Sequence, residues 1–241
     1  EESAEKKQFL KMTETPVSAL IISLAIPTVI TMLTSSFYNM ADTFFVSQIG
    51  TSASAAVGVV FSLMAIIQAV GFTIGMGSAS IISRLLGVRD VEAASKTATI
   101  AFIAAFSFGI IITIFGLLFL DKLMSFLGAT PSVLPYAKNY ARYILLGSPV
   151  ICTSFVLNNI LRAEGKSAKA MIALTFGGII NVLLDPIFIF TLKMETAGAA
   201  IATVISQTIS FFLLLQFFFR QKTLCKISIK FLEIDMQKLV Q

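Results

Sequence analysis

Long apolar stretches broken by short polar ones set the pattern of this chain. The runs extend from about Val17 to Ser47, Ser52 to Ser83, Ala94 to Leu120, Ser132 to Leu161, Ala168 to Leu192 and Thr196 to Phe219. None alternates apolar and polar positions with a period of two, so none reads as a half-buried strand. Each is at least as long as the roughly 20 residues a helix needs to cross a bilayer. A segment in contact with lipid must also satisfy its own backbone hydrogen bonds. The pattern predicts an all-α integral membrane protein with six transmembrane helices. The fourth run opens on Tyr136, Lys138, Tyr140, Arg142 and Tyr143. That mixture of tyrosines and cations suggests an interfacial first turn, with the buried part starting near Ile144.

Composition agrees with this pattern. Of the 241 residues, 56% are hydrophobic and 13% charged, and the mean hydropathy is +0.90. A soluble domain carries about 25% charged residues. There is no histidine, and no phosphate loop, metal motif or nucleophile–base pair suggests an enzyme. No catalytic residue and no cofactor are expected. The run Gly71 to Gly77 lies inside a span and lacks a phosphate-binding lysine, so its Gly71/Gly75 pair is read as close helix packing. Cys152, in an apolar run, and Cys225, in a basic tail, are expected to be free thiols.

The net charge of +5 does not point to nucleic acid, because the cations are clustered between apolar runs. Lys6, Lys7, Lys11, Arg84, Arg89, Lys96, Arg162, Lys166, Lys169, Arg220, Lys222, Lys226, Lys230 and Lys238 fall on one side of the six spans. Lys122, Lys193, Lys138 and Arg142 fall on the other. The rich side is expected to be cytoplasmic. Both termini then lie inside, as an even number of spans requires, and the protein is expected in the plasma (inner) membrane. The expected segments are a cytoplasmic start (1–15), a transmembrane lobe (16–219) and a basic cytoplasmic tail (220–241).

Of the 13 acidic residues, only Asp42 and Asp185 fall within the spans. A carboxylate at a helix centre costs about 2.5–3.5 kcal/mol on insertion scales, which makes an intramembrane acid a functional candidate. Both fall in the outer half of the membrane. Asn181 precedes Asp185 by one helical turn and shares its face. Thr203, early in the last span, falls at a comparable depth. These oxygens suit a hard cation such as Na⁺. They suit a proton equally, because burial and a like-charged neighbour both penalise the ionised carboxyl. The alternative is that each acid only knits helices together. Pro186 follows Asp185 and is expected to loosen the carbonyl of Val182, and Pro27 that of Ser23. Each also reads as a simple packing kink.

Several stretches resemble one family. Residues Asn158-Asn159-Ile160-Leu161-Arg162-Ala163-Glu164-Gly165-Lys166 and Gly177-Gly178-Ile179-Ile180-Asn181-Val182-Leu183-Leu184-Asp185-Pro186 are similar to the central signature of multidrug and toxic compound extrusion (MATE) transporters. Gly198 to Gln207 resembles that family's sixth helix. Pro27 with Tyr38-Asn39-Met40-Ala41-Asp42 resembles its first helix, and Gly87-Val88-Arg89-Asp90 its second cytoplasmic turn. The resemblance implies a twelve-helix transporter made of two six-helix lobes, of which this chain matches the N-terminal one. A second lobe is the partner it implies, beside the lipid bilayer and a small cationic or amphipathic substrate exchanged for Na⁺ or H⁺. Asp42, Asp185, Asn181 and Thr203 match the family's coupling residues, and Asn158 matches a further position that falls deeper toward the cytoplasm. Two alternatives remain open: a non-transporting membrane remnant or assembly partner, and a lipid-linked oligosaccharide flippase of related architecture. No Lys or Arg lies clearly inside a span, which favours the drug exporter over the flippase.

Overall fold

The computed structural model describes residues 14–219 and 223–227. The expected cytoplasmic start, most of the basic tail and the cations Lys6, Lys7, Lys11, Arg220, Lys222, Lys230 and Lys238 lie outside the described residues. Within them the chain forms α1 (Val17–Ser47), α2 (Thr51–Gly87), α3 (Val91–Leu118), a short α4 (Leu120–Phe126), α5 (Leu134–Ala163), α6 (Ser167–Pro186) and α7 (Glu195–Phe219). A π-helical turn, Ile187–Thr191, extends α6. All of these except α4 supply helices long and apolar enough to cross a membrane, which gives six spans among the described residues. The bounds follow the apolar runs closely. The run spacing did not foretell α4, which caps the connection from α3 to α5.

The spans differ in what covers them. In α5, 78% of the most apolar window is buried, against 6% in α1. Helix α5 is therefore the centre of the bundle, packed on α2, α3 and α7, while α1 leans mainly on α6. Small residues let the helices approach α5. A methyl at Gly71 would stand 3.0 Å from Phe155 Cβ, and one at Gly75 would stand 2.8 Å from Asn159 Nδ2. At Gly109 the added carbon would collide with the backbone of Pro149. The Gly71/Gly75 pair thus packs closely, as GxxxG spacing does in membranes.

Helix α1 shows lipid-facing bulk such as Ile21, Ile22, Phe37, Met40 and Phe44. Its hydroxyls turn back on their own helix: Thr28 donates to the Leu24 carbonyl, Thr31 to that of Pro27 and Thr34 to that of Ile30, all at 2.8–3.0 Å. In a medium without water this satisfies each polar group without a neighbouring helix. Asp90 caps α3 by accepting from the Ala93 amide at 2.9 Å, after Arg89 takes a left-handed turn at φ 63°.

The short segment after α7 folds back on the lobe. Glu164, at the end of α5, is buried. It accepts from the backbone amides of Leu224 and Cys225 at 3.0 and 2.9 Å, and Lys166 donates to it at 2.6 Å. The Lys226 amide donates to Ser95 Oγ at 3.0 Å. Cys225 is consequently fully buried and not exposed in a solvated tail. Burial first, and then the adjacent Glu164 carboxylate, hold its thiol well above the usual cysteine range. Cys152 and Cys225 are both free.

Candidate functional site

Four spans contribute to one buried polar cluster. Asp42 lies near the end of α1, Asn181 and Asp185 in the last turns of α6, and Thr203 in the early turns of α7. All lie toward the face that carries the α1–α2 and α6–α7 connections, opposite the start of α1 and the end of α7. Asp185 is 0% exposed, Asn181 2%, Thr203 4% and Asp42 5%, so each is withdrawn from solvent and from lipid alike.

The Asn181 amide is shared between two partners. Its Nδ2 donates to Asp185 Oδ1 at 3.3 Å and to Thr203 Oγ1 at 3.2 Å. This joins α6 to α7 and fixes the amide so that its oxygen faces away from both. Asp42 is held from a different helix: the Tyr140 hydroxyl of α5 donates to Asp42 Oδ2 at 3.0 Å. The same phenol lies beside Thr203, so the two pairs form one network.

Tyr140 corrects the interfacial reading of the fourth run. It is 1% exposed, and Ala137, Ala141 and Ile144 beside it are fully buried. The burial begins a full turn or more before Ile144. These residues flank Tyr140 at helical spacing on the face turned to the bundle, while Lys138 and Arg142 occupy other faces. The small alanines at that spacing were the available signal, and the neighbouring cations obscured it.

Three acceptor atoms in the cluster have no donor among the described residues: Asp42 Oδ1, Asp185 Oδ2 and Asn181 Oδ1. Buried polar atoms are ordinarily satisfied, so such exceptions point to a group that binds there. Two carboxylate oxygens and an amide oxygen, beside a hydroxyl, fit a hard cation or a proton and offer nothing to a soft metal.

The remaining candidates lie elsewhere. Asn158 is buried, with its Nδ2 unpartnered among the described residues, but it sits on α5 roughly 27 Å along the axis from Tyr140. The structure does not bring it to the cluster. Pro27 is also distant from Asp42 along α1, which runs through it unbroken. Pro186 is adjacent to Asp185, and the helix changes register there: the Leu192 amide reaches back to the Ile187 carbonyl at 3.0 Å. This π-helical turn follows the proline and lies beyond the Val182 carbonyl whose loosening the sequence predicts.

One turn back from Asp42 on α1, Tyr38 accepts from Gln207 Nε2 at 3.5 Å. Ser35, Tyr38, Ser154, Phe155, Leu174 and Gln207 enclose a chamber of about 30 Å³, large enough for a water molecule. Neither Tyr38 nor Gln207 stood out in the sequence as a site residue.

Known proteins share this arrangement of helices. The chain is 32% identical over 195 residues to a protein of Shewanella oneidensis named FAD transporter, covering 79% of this chain and 43% of that one. It is 28% identical over 225 residues to the multidrug export protein MepA of Staphylococcus haemolyticus, covering 93% of this chain and 50% of that one. A crystal structure of MATE in the bent conformation superposes with a TM-score of 0.83 at 36% identity, covering 88% of this chain and 47% of that one. The chain thus spans about half the length of the relatives it matches, and their names are those of transporters, not enzymes. Residues 27–187, which run from the first proline of α1 to the end of α6, match the MatE family model, and this multi-pass membrane chain belongs to the MatE family.

Proposed function

We propose that this lobe holds the coupling site of a secondary antiporter that exports cationic or amphipathic compounds in exchange for Na⁺ or H⁺. The observation that carries this reading is the buried pair Asp42 and Asp185, each with one oxygen unpartnered. Two ionised carboxylates in one buried network, away from water, repel. A cation between them or a proton on one relieves that repulsion, so the cluster favours an occupied state. Tyr140 and Asn181 hold one oxygen of each acid and leave the other free. Because four spans meet in the network, a change of occupancy alters the contacts between α1 and α5 and between α6 and α7. Alternating access needs this kind of coupling between a site and the packing of a bundle.

A second six-helix lobe completes the carrier in this reading, since one bundle must rock against another. The cation-rich face, which includes Arg84, Lys96, Arg162 and Lys169, is cytoplasmic by the same rule that orients other membrane proteins.

The decisive experiment substitutes Asp42→Asn and Asp185→Asn separately in the complete transporter. Asn retains shape and hydrogen bonding but cannot change charge. Each variant is expected to purify and fold and to lose drug efflux driven by imposed Na⁺ or pH gradients, applied one at a time. Efflux at wild-type rate in both would assign these acids a structural role.

One observation supports a different substrate. The Shewanella relative is named FAD transporter, and FAD is a large anion. Retention of FAD by vesicles bearing the complete protein, where a cationic dye is expelled, separates the two.

A further inference from the structure

Among the described residues, four cations lie on the face opposite the start of α1 and the end of α7, and three of them converge. Lys122, Lys138 and Arg142 line an open pocket of about 400 Å³ between α4, the end of α3 and the start of α5. Its remaining lining is Leu117, Leu118, Phe119, Leu120 and Asp121. Lys138 and Arg142 stand one turn apart on α5 and share a face. Lys138 forms an ion pair with Asp121, so Lys122 and Arg142 add positive charge that this carboxylate does not offset. The pocket is basic on one wall and apolar on the other.

The apolar wall continues away from it. Ile111, Phe115 and Leu118 are 46%, 59% and 70% exposed and recur along α3 at helical spacing, which makes a single outward stripe. Phe119, 51% exposed, closes the lip where that stripe meets the cations. A ligand with an anionic head and a hydrocarbon tail matches both parts at once. A free phosphate would use only the basic wall, and a neutral lipid only the stripe.

We infer that this pocket binds the phosphate headgroup of an anionic phospholipid, with an acyl chain lying along Ile111, Phe115 and Leu118. Lys122 and Arg142 take the phosphate oxygens and Lys138 stays with Asp121. Cations near an anionic lipid surface contribute about 1 kcal/mol each, which is about fivefold in affinity per side chain. The inference concerns a different face of α5 from the one that carries Tyr140 and does not depend on what the carrier transports.

The test uses the complete transporter, purified and titrated with phosphatidylglycerol or phosphatidylcholine while bound lipid is counted by native mass spectrometry. The wild type is expected to hold one phosphatidylglycerol in clear preference to phosphatidylcholine. Lys122→Gln with Arg142→Gln should weaken that preference by roughly 30-fold. Arg84→Gln with Arg89→Gln, which removes the same charge from the opposite face, should leave it unchanged. Leu118→Ser should weaken lipid binding through the apolar wall alone. If the double variant fails to purify, Arg142→Gln alone is expected to cost about fivefold. Equal binding of the two lipids overturns the inference, and so does a preference that survives loss of Lys122 and Arg142. Displacement of the lipid by an equal concentration of glycerol phosphate also overturns it, because the pocket would then take a free anion.

Discussion

The Tyr140 hydroxyl donates to Asp42 Oδ2 at 3.0 Å and so ties the most buried span to the most exposed one. Helix α1 rests mainly on α6, and this bond is its polar fastening to the core of the bundle. Tyr140→Phe keeps the ring and its packing but removes the donor, leaving Asp42 with neither oxygen held by a described residue. Losing one partner of a buried hydrogen bond costs about 1–3 kcal/mol. The variant is expected to unfold at lower temperature in detergent and to need a different ion or proton concentration for half-maximal efflux. Unchanged values of both would show that the contact is incidental.

Asn181 bridges Asp185 and Thr203, and its substitution separates ligand from charge. Asn181→Ala removes one acceptor and two donated bonds while both carboxylates remain. In the complete transporter it should weaken ion dependence by more than it lowers expression. Thr203→Ala, which removes only the hydroxyl, should act in the same direction and less strongly. A transport assay at graded Na⁺ and pH reads both, and equal ion dependence in wild type and Asn181→Ala would remove that residue from the site.

Legibility from sequence divided along physical lines. Spans were readable because lipid imposes length and hydropathy on each helix separately, so each run carries its own evidence. Asp42 and Asp185 were readable because a carboxylate inside an apolar run is costly, and Asn181 because it lies one turn from Asp185. Tyr140 was not, since a tyrosine between Lys138 and Arg142 has the composition of a membrane interface and only packing shows which way it faces. Glu164 was hidden for another reason. It looks like an ordinary acid in a polar turn, and its partners are backbone amides about 60 residues downstream, which no local pattern encodes.

Glycine spacing gives a prediction with two signs. A methyl at Gly109 would collide with the Pro149 backbone, whereas one at Gly58 meets nothing within 4 Å. Gly109→Ala must push α3 from α5, and such overpacking costs typically about 1–3 kcal/mol. Gly58→Ala gains helix propensity of up to about 1 kcal/mol with no clash. Thermal unfolding of the two variants should move in opposite directions from wild type. A Gly109→Ala protein as stable as wild type would mean that the α3–α5 approach is looser than described.

Cys225 reports on the fold-back of the segment after α7. Its thiol is fully buried, and burial together with the Glu164 carboxylate pushes it above the usual cysteine range. Only the thiolate attacks a maleimide, so this group should be unreactive on two counts, access and ionisation. In a Cys152→Ala background, the native protein is expected to label slowly at neutral pH and fully in denaturant. Raising the pH to about 9, where a free cysteine is mostly ionised, should accelerate the native reaction far less than it accelerates a free thiol, because the folded group ionises only at higher pH. Glu164→Ala removes the acceptor of the Leu224 and Cys225 amides and the charge that opposes ionisation. Both changes act in one direction, and labelling should rise by about tenfold or more, the factor that about 1.4 kcal/mol of easier opening supplies. If native Cys225 labels as quickly as an exposed cysteine before any substitution, the segment is not held against the lobe and Glu164 does not fasten it.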